Sequence, residues 1–297
     1  MAAERKVVRL PWGEVSYLEW SPDGAARAPT LLLLHGGGLD SAELSWADVG
    51  PAVAQVGYRV LAPDHPGYGE SPPARWDATQ QRLVTYVAEL VDALGVERYA
   101  VGGVSLGGGM TIGHVLERPQ RVTGAILLGS YGLMDYQVDG WYAKPVHVIT
   151  WMMLRTGLLS AVMSAYGKNR TWMESSVRSL IRNPEQRTPQ LLDAIMHAAA
   201  RDNALAAFVQ WQRDQFLWNR LKTSYTERLG SFPCPVLMIH ADHDAGVPLA
   251  YAQRAAARFP DAQLLVIPDA GHWVHRDRPD LVLPAMTGFL SSLGPRY

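Results

Sequence analysis

Short apolar runs alternate with helical patterns through the first 130 positions. Val7–Leu10 and Val15–Trp20 read as two strands joined around Pro11-Trp12-Gly13. Leu31–Leu34 is apolar at every position, as a strand buried on both faces requires, and it runs into His35-Gly36-Gly37-Gly38. Tyr58–Ala62 reads as the next strand. Leu83, Val84, Val87, Leu90, Val91 and Leu94 then recur at helical spacing, with Gly95 placed to end that helix. Tyr99–Gly103 predicts a strand, Leu106–Glu117 a helix that stops before Pro119, and Gly124–Gly129 another strand. Strand–helix–strand alternation with apolar strands predicts an α/β fold, its parallel sheet covered by helices on both faces.

Between Asp135 and about Gly230 the pattern becomes helical throughout. This stretch holds five of the ten tryptophans, and its twelve basic residues outnumber its eight acidic ones. The strand pattern resumes at Pro235–Ile239 and Gln263–Ile267, and Pro279–Leu293 closes the chain as a helix. The expected organisation is an α/β core, 1–134 and 231–297, interrupted by a helical cap over 135–230. Within the cap, Val146–Tyr166 is mostly apolar over 21 positions, close to the ~20 that span a bilayer. Arg155 near its middle, Gly157 and the preceding Lys144-Pro145 oppose a span. The segment is read instead as one or two buried or pocket-facing helices. A small helical lid cannot easily bury five tryptophans internally, so some are expected to face the pocket.

Composition narrows the function classes. Hydrophobic residues at 48% and charged residues at 19% exclude a disordered chain or a coiled coil. The 27 basic and 28 acidic residues give a net charge of −1, which offers no electrostatic case for nucleic acid. The lone cysteine, Cys234, cannot form an internal disulfide and fits a reducing compartment. Met1-Ala2-Ala3-Glu4-Arg5-Lys6 lacks the apolar stretch of a signal peptide, so a cytoplasmic protein is expected.

Three segments carry chemistry. Gly103-Val104-Ser105-Leu106-Gly107 matches G-x-S-x-G between a predicted strand and a predicted helix, the context that gives this motif meaning. A serine hydroxyl needs a neighbouring base to become a nucleophile, and His272, in Gly271-His272-Trp273 after the last predicted strand, is the candidate. Asp244, past the end of the preceding strand, is the acid best placed to orient that imidazole; Asp242, Asp269 and Asp135 are competitors. The order Ser–Asp–His is the one that hydrolases with this serine turn use. Acyl transfer also needs two aimed N–H donors for an oxyanion, assigned here to Gly37 and Leu106. Gly36, Gly38 and Trp273 are expected to contact substrate, and His35 to anchor the glycine loop rather than react. His240-Ala241-Asp242-His243-Asp244 has ligand-type residues, but no H-E-x-x-H or paired-cysteine motif supports a metal. The glycine runs do not form a phosphate loop, so no cofactor is expected.

These motifs, together with Asp64-His65-Pro66-Gly67-Tyr68-Gly69-Glu70-Ser71, resemble the α/β-hydrolase fold family along essentially the whole chain. The resemblance implies an eight-stranded, mostly parallel sheet with a helical cap inserted after the sixth strand. It lies in the serine hydrolase branch, similar to carboxylesterases and to meta-cleavage C–C hydrolases. The latter usually carry Asn immediately before the nucleophile, where this chain has Val104. The expected activity is therefore cleavage of a small to medium apolar carboxylic ester or lactone, with C–C cleavage of a vinylogous diketone as the alternative. A non-catalytic ligand-binding protein on this fold is the remaining one. The partner implied is a small-molecule substrate, and a homodimer would be ordinary.

Overall fold

The computed structural model describes residues 1–22 and 28–294 of the 297. Eight strands form one sheet: β1 (Glu4–Leu10), β2 (Gly13–Trp20), β3 (Thr30–Leu34), β4 (Arg59–Pro63), β5 (Tyr99–Val104), β6 (Val122–Leu128), β7 (Val236–Ala241) and β8 (Ala262–Ile267). Their spatial order is β1-β2-β4-β3-β5-β6-β7-β8. β2 runs antiparallel to both β1 and β4, and every other pairing is parallel. Burial follows position in the sheet. The central β3, β5 and β7 are buried at every residue, whereas the edge strands β1 and β8 alternate between covered and exposed. That is why β3 is four leucines after a threonine and β1 intersperses charges.

The helices of the core are α1 (Ala42–Trp46), α2 (Val49–Gln55), α3 (Gln80–Ala93), α4 (Leu106–Glu117) and, after the insertion described next, α10–α12. Between β6 and β7 lie α5 (Ala143–Arg155), α6 (Leu158–Lys168), α7 (Arg170–Leu180), α8 (Pro189–Ala199) and α9 (Ala206–Gln215). α10 (Leu249–Ala256), α11 (Val274–Asp277) and α12 (Pro279–Ser292) complete the chain. One face of the sheet packs against Tyr86, Val87, Met110, Ile112 and Ala252, the other against Trp46, Val49, Val282, Met286 and Phe289. Local signals set several helix starts: Thr79 caps α3 by accepting from Arg82 N–H, and Thr188 caps α8 with Pro189 in its first position.

The 146–166 segment divides at Gly157, whose φ is +78°, into α5 and α6. Ile149, Met152 and Leu158 are exposed, while Val162 and Met163 of α6 line the cavity that also holds Ser105. No helix among the described residues is long and apolar enough to cross a membrane. The tryptophans also depart from expectation. Of the five in the insertion only Trp211 lines the central cavity, while Trp141, Trp172 and Trp218 are exposed.

Candidate active site

In parallel α/β sheets, ligands gather beyond the carboxyl ends of the strands. Here those ends deliver the glycine loop after β3, Ser105 after β5, Asp244 after β7 and His272 after β8. Ser105 sits between β5 and α4 with φ +53° and ψ −115°, a conformation an L-residue rarely adopts, at a cost of about 1–3 kcal/mol. Close packing enforces it. A Cβ on Gly103 would lie 2.3 Å from the Gly107 carbonyl carbon, and one on Gly107 would lie 2.2 Å from Leu34 O. The chain thus reverses hard against β3, and only hydrogens fit on both sides of the serine. The Ser105 hydroxyl makes no capping bond to α4.

His272 and Asp244 are joined by a 2.7 Å hydrogen bond from Nδ1 to Oδ1. An ionised carboxylate can only accept, so the imidazole proton lies on Nδ1 and the lone pair on Nε2. Asp244 is itself fixed by the Gly246 and Val247 N–H groups, both donating to Oδ1 at 2.8 Å. Burial alone would raise its carboxyl pKa, but His272, His240 and the Val247 N–H hold it below the ordinary value. For His272, burial opposes the charged form, and the Asp244 carboxylate outweighs burial, leaving the imidazole pKa above 6.5. Its ring lies flat on Gly246, where a Cβ would come within 2.9 Å.

Ser105 and His272 line one cavity of about 490 Å³, together with Gly36, Gly37, Gly38, Leu106 and Trp273. No hydrogen bond joins the Ser105 hydroxyl to His272 among the described residues, and contacts of this kind often tighten only when a reacting group is in place. Two of the competing acids have their carboxylates bonded elsewhere. Asp242 accepts from Ala270 N–H and Asp269 pairs with Arg182. Asp135 offers its main-chain carbonyl to Leu221 N–H.

The glycine loop is built on residues that give little sign of it in sequence. Asp40 is buried and accepts from Gly36 N–H at 2.7 Å, from Ser41 N–H and from the Ser45 hydroxyl. Burial pushes its carboxyl pKa up to about 6. Gly36 N–H is committed to Asp40 and is not available to an oxyanion. Leu106, the first residue of α4, has an N–H with no intrahelical acceptor. His35 is structural, as expected. Its Nε2 accepts from His65 N–H, so Nδ1 carries the proton and donates to Gly36 O. Burial lowers its pKa to about 3, which keeps the ring neutral.

Two further contributors come from outside the motifs. Phe208 of α9 lies directly over Gly37, where a Cβ would fall 2.5 Å from its ring. Asp277, fully buried, accepts from Gly271 N–H beside His272 and from Arg182 and Asn183 N–H after α7. Trp273 N–H donates to Leu180 O, a second tie between the His272 loop and the end of α7.

Comparison with known proteins agrees with this architecture. A family model described as the α/β hydrolase fold matches residues 29–279. The chain is 28% identical over 298 aligned positions to the 2-hydroxy-6-oxononadienedioate/2-hydroxy-6-oxononatrienedioate hydrolase of Cupriavidus pinatubonensis, spanning 92% of this chain and 90% of that one. It is 27% identical to the 2-hydroxy-6-oxo-6-phenylhexa-2,4-dienoate hydrolase of Burkholderia cepacia, over 90% of each. Among solved structures it superposes on a meta-cleavage product hydrolase from Pseudomonas fluorescens with TM-score 0.79 at 22% identity, covering 97% of each chain. A Bacillus subtilis carboxylesterase gives TM-score 0.73 at 23% identity, covering 98% of this chain and 93% of that one. With the strand order, the strained serine turn and a match running from before β3 to the start of α12, this chain belongs to the α/β-hydrolase fold family.

Proposed function

We propose that the protein is a serine hydrolase acting at a carbonyl carbon, with Ser105 as nucleophile, His272 as general base and Asp244 as its orienting acid. The observation that carries the reading is the Asp244-bound imidazole sharing one largely apolar cavity with the strained Ser105 turn. His272 Nε2 takes the Ser105 proton as Oγ attacks the carbonyl, and the Gly37 and Leu106 N–H groups hold the oxyanion. Collapse expels the leaving group, which receives the proton from His272. Water then repeats the sequence on the acyl-enzyme.

For the bond that breaks, the relatives favour a carbon–carbon bond beside a ketone. In a vinylogous diketone the departing carbanion is delocalised onto the second carbonyl, which makes it a competent leaving group. Ester or lactone cleavage is the second reading, favoured by Val104 in the position before the serine and by the carboxylesterase of similar fold. Side-by-side rates on a vinylogous diketone and on 4-nitrophenyl butyrate decide between them. A kcat/KM for the diketone at least about tenfold the greater is expected; the reverse order assigns the protein to esters.

Gly37 offers a separate test of the oxyanion assignment. Gly37→Ala drives a methyl into the Phe208 ring and is expected to displace the donor, lowering kcat by about 100-fold. Adding Phe208→Ala to that variant removes the collision. Recovery of about tenfold in the double variant is expected on 4-nitrophenyl butyrate, and no recovery would place the defect elsewhere.

A further inference from the structure

We infer that the part of the substrate entering this cavity carries no charge, so the site selects against the carboxylate-bearing substrates that the relatives' names describe. The inference rests on the serine hydrolase reading and adds the substrate class. Among the described residues lining the cavity there is no Lys, Arg, Asp or Glu. Among the described residues lining it, the titratable side chains are His272 and Tyr131, and burial holds the Tyr131 phenol well above its ordinary pKa, hence neutral. A carboxylate brought there would leave water without meeting a cation, which is strongly unfavourable. The Asp244 carboxylate lies behind His272 and repels a second anion.

The insertion is not short of cations, which makes their placement informative. Its twelve basic residues all lie off the cavity wall. Arg170, Arg178 and Arg187 line a separate groove. Val177 of α7 borders both that groove and the cavity. The polar side chains that do line the cavity include the neutral Ser176, Gln137 and Gln212. The carboxamide oxygens of Gln137 and Gln212 are buried without a hydrogen-bond partner in the protein. These oxygens accept from a hydroxyl or an amide N–H, and no formal positive charge stands beside them among the described lining residues to balance an anion.

The test compares 4-nitrophenyl pentanoate with 4-nitrophenyl hydrogen glutarate, in which a carboxylate replaces the terminal methyl group, and with the methyl ester of the latter. The expected kcat/KM is at least about tenfold lower for the anion than for either neutral ester. A difference below tenfold overturns the inference. Gln212→Arg, which places a cation in the wall, is expected to raise the rate on the anion relative to pentanoate by about tenfold; an unchanged ratio in a folded variant also counts against it. Ser105→Ala assayed on all three esters separates the two readings. Persistence of activity there would end the serine mechanism, whereas the charge ratio measured on the unaltered protein bears on the cavity alone.

Discussion

Replacing Ser105 with alanine is expected to lower kcat on any accepted substrate by about 10⁵-fold while leaving the fold in place. In the proposed mechanism the hydroxyl oxygen is the atom that becomes bonded to the acyl group. Alanine meets the same backbone constraint as serine at φ +53°, and the Ser105 side chain makes no capping bond to α4, so the melting temperature should move by only a few degrees. The measurement pairs kcat with thermal unfolding. A serine-directed phosphonate should add one adduct mass to the unaltered protein at residue 105 and none to the variant. Near-normal turnover by Ser105→Ala would refute the assignment.

The second large effect is expected at Asp244. In Asp244→Asn the carboxamide oxygen can keep the bonds from Gly246 N–H, Val247 N–H and His272 Nδ1–H, which all meet at Oδ1, but the negative charge is gone. The imidazolium that forms when His272 takes the Ser105 proton in the proposed mechanism then has no carboxylate to stabilise it. A loss of about 10³–10⁴ in kcat follows. The pH profile carries a second signature. The imidazole must be neutral to act as base, and Asp244 keeps its pKa above 6.5 despite burial, so activity of the unaltered protein should fall as pH drops through a value above 6.5. Without the carboxylate, burial prevails and the acid limb should shift to lower pH. An unchanged limb would mean that another group sets it. Asp40, at about 6, is the group to test, through Asp40→Asn.

Most of the sheet was legible because its strands are marked by properties local to the chain. Unbroken apolar runs identify β3, β5 and β7, and the G-x-S-x-G turn places α4 over the bounds predicted, Leu106–Glu117. Strand ends moved by one to three residues: β1 starts at Glu4 rather than Val7 and β6 at Val122 rather than Gly124. Charged residues at the β1 edge dilute the apolar signal without preventing pairing. The residues proposed as catalytic lie in the motifs for the same reason, since a tight turn and a strand end leave a local mark. Asp40, Phe208 and Asp277 leave none. Phe208 and Asp277 act through contacts with distant segments and Asp40 through the fold of its own loop, and an aspartate that will accept three main-chain N–H groups looks in sequence like any surface carboxylate. The α5–α6 segment was legible in part: Val162 and Met163 face the cavity as expected, while Ile149, Met152 and Leu158 meet water, because apolar content by itself does not say which side of a helix is covered.

Asp277 has a mechanical consequence. One carboxylate grips the strand-to-helix loop bearing the imidazole and, through two further N–H groups, the chain leaving α7. These segments therefore travel together: a roof hinged upward at that corner would drag the imidazole out of register with the serine. An opening that keeps the imidazole in place is therefore expected away from this corner, with Asp277 as its fixed post.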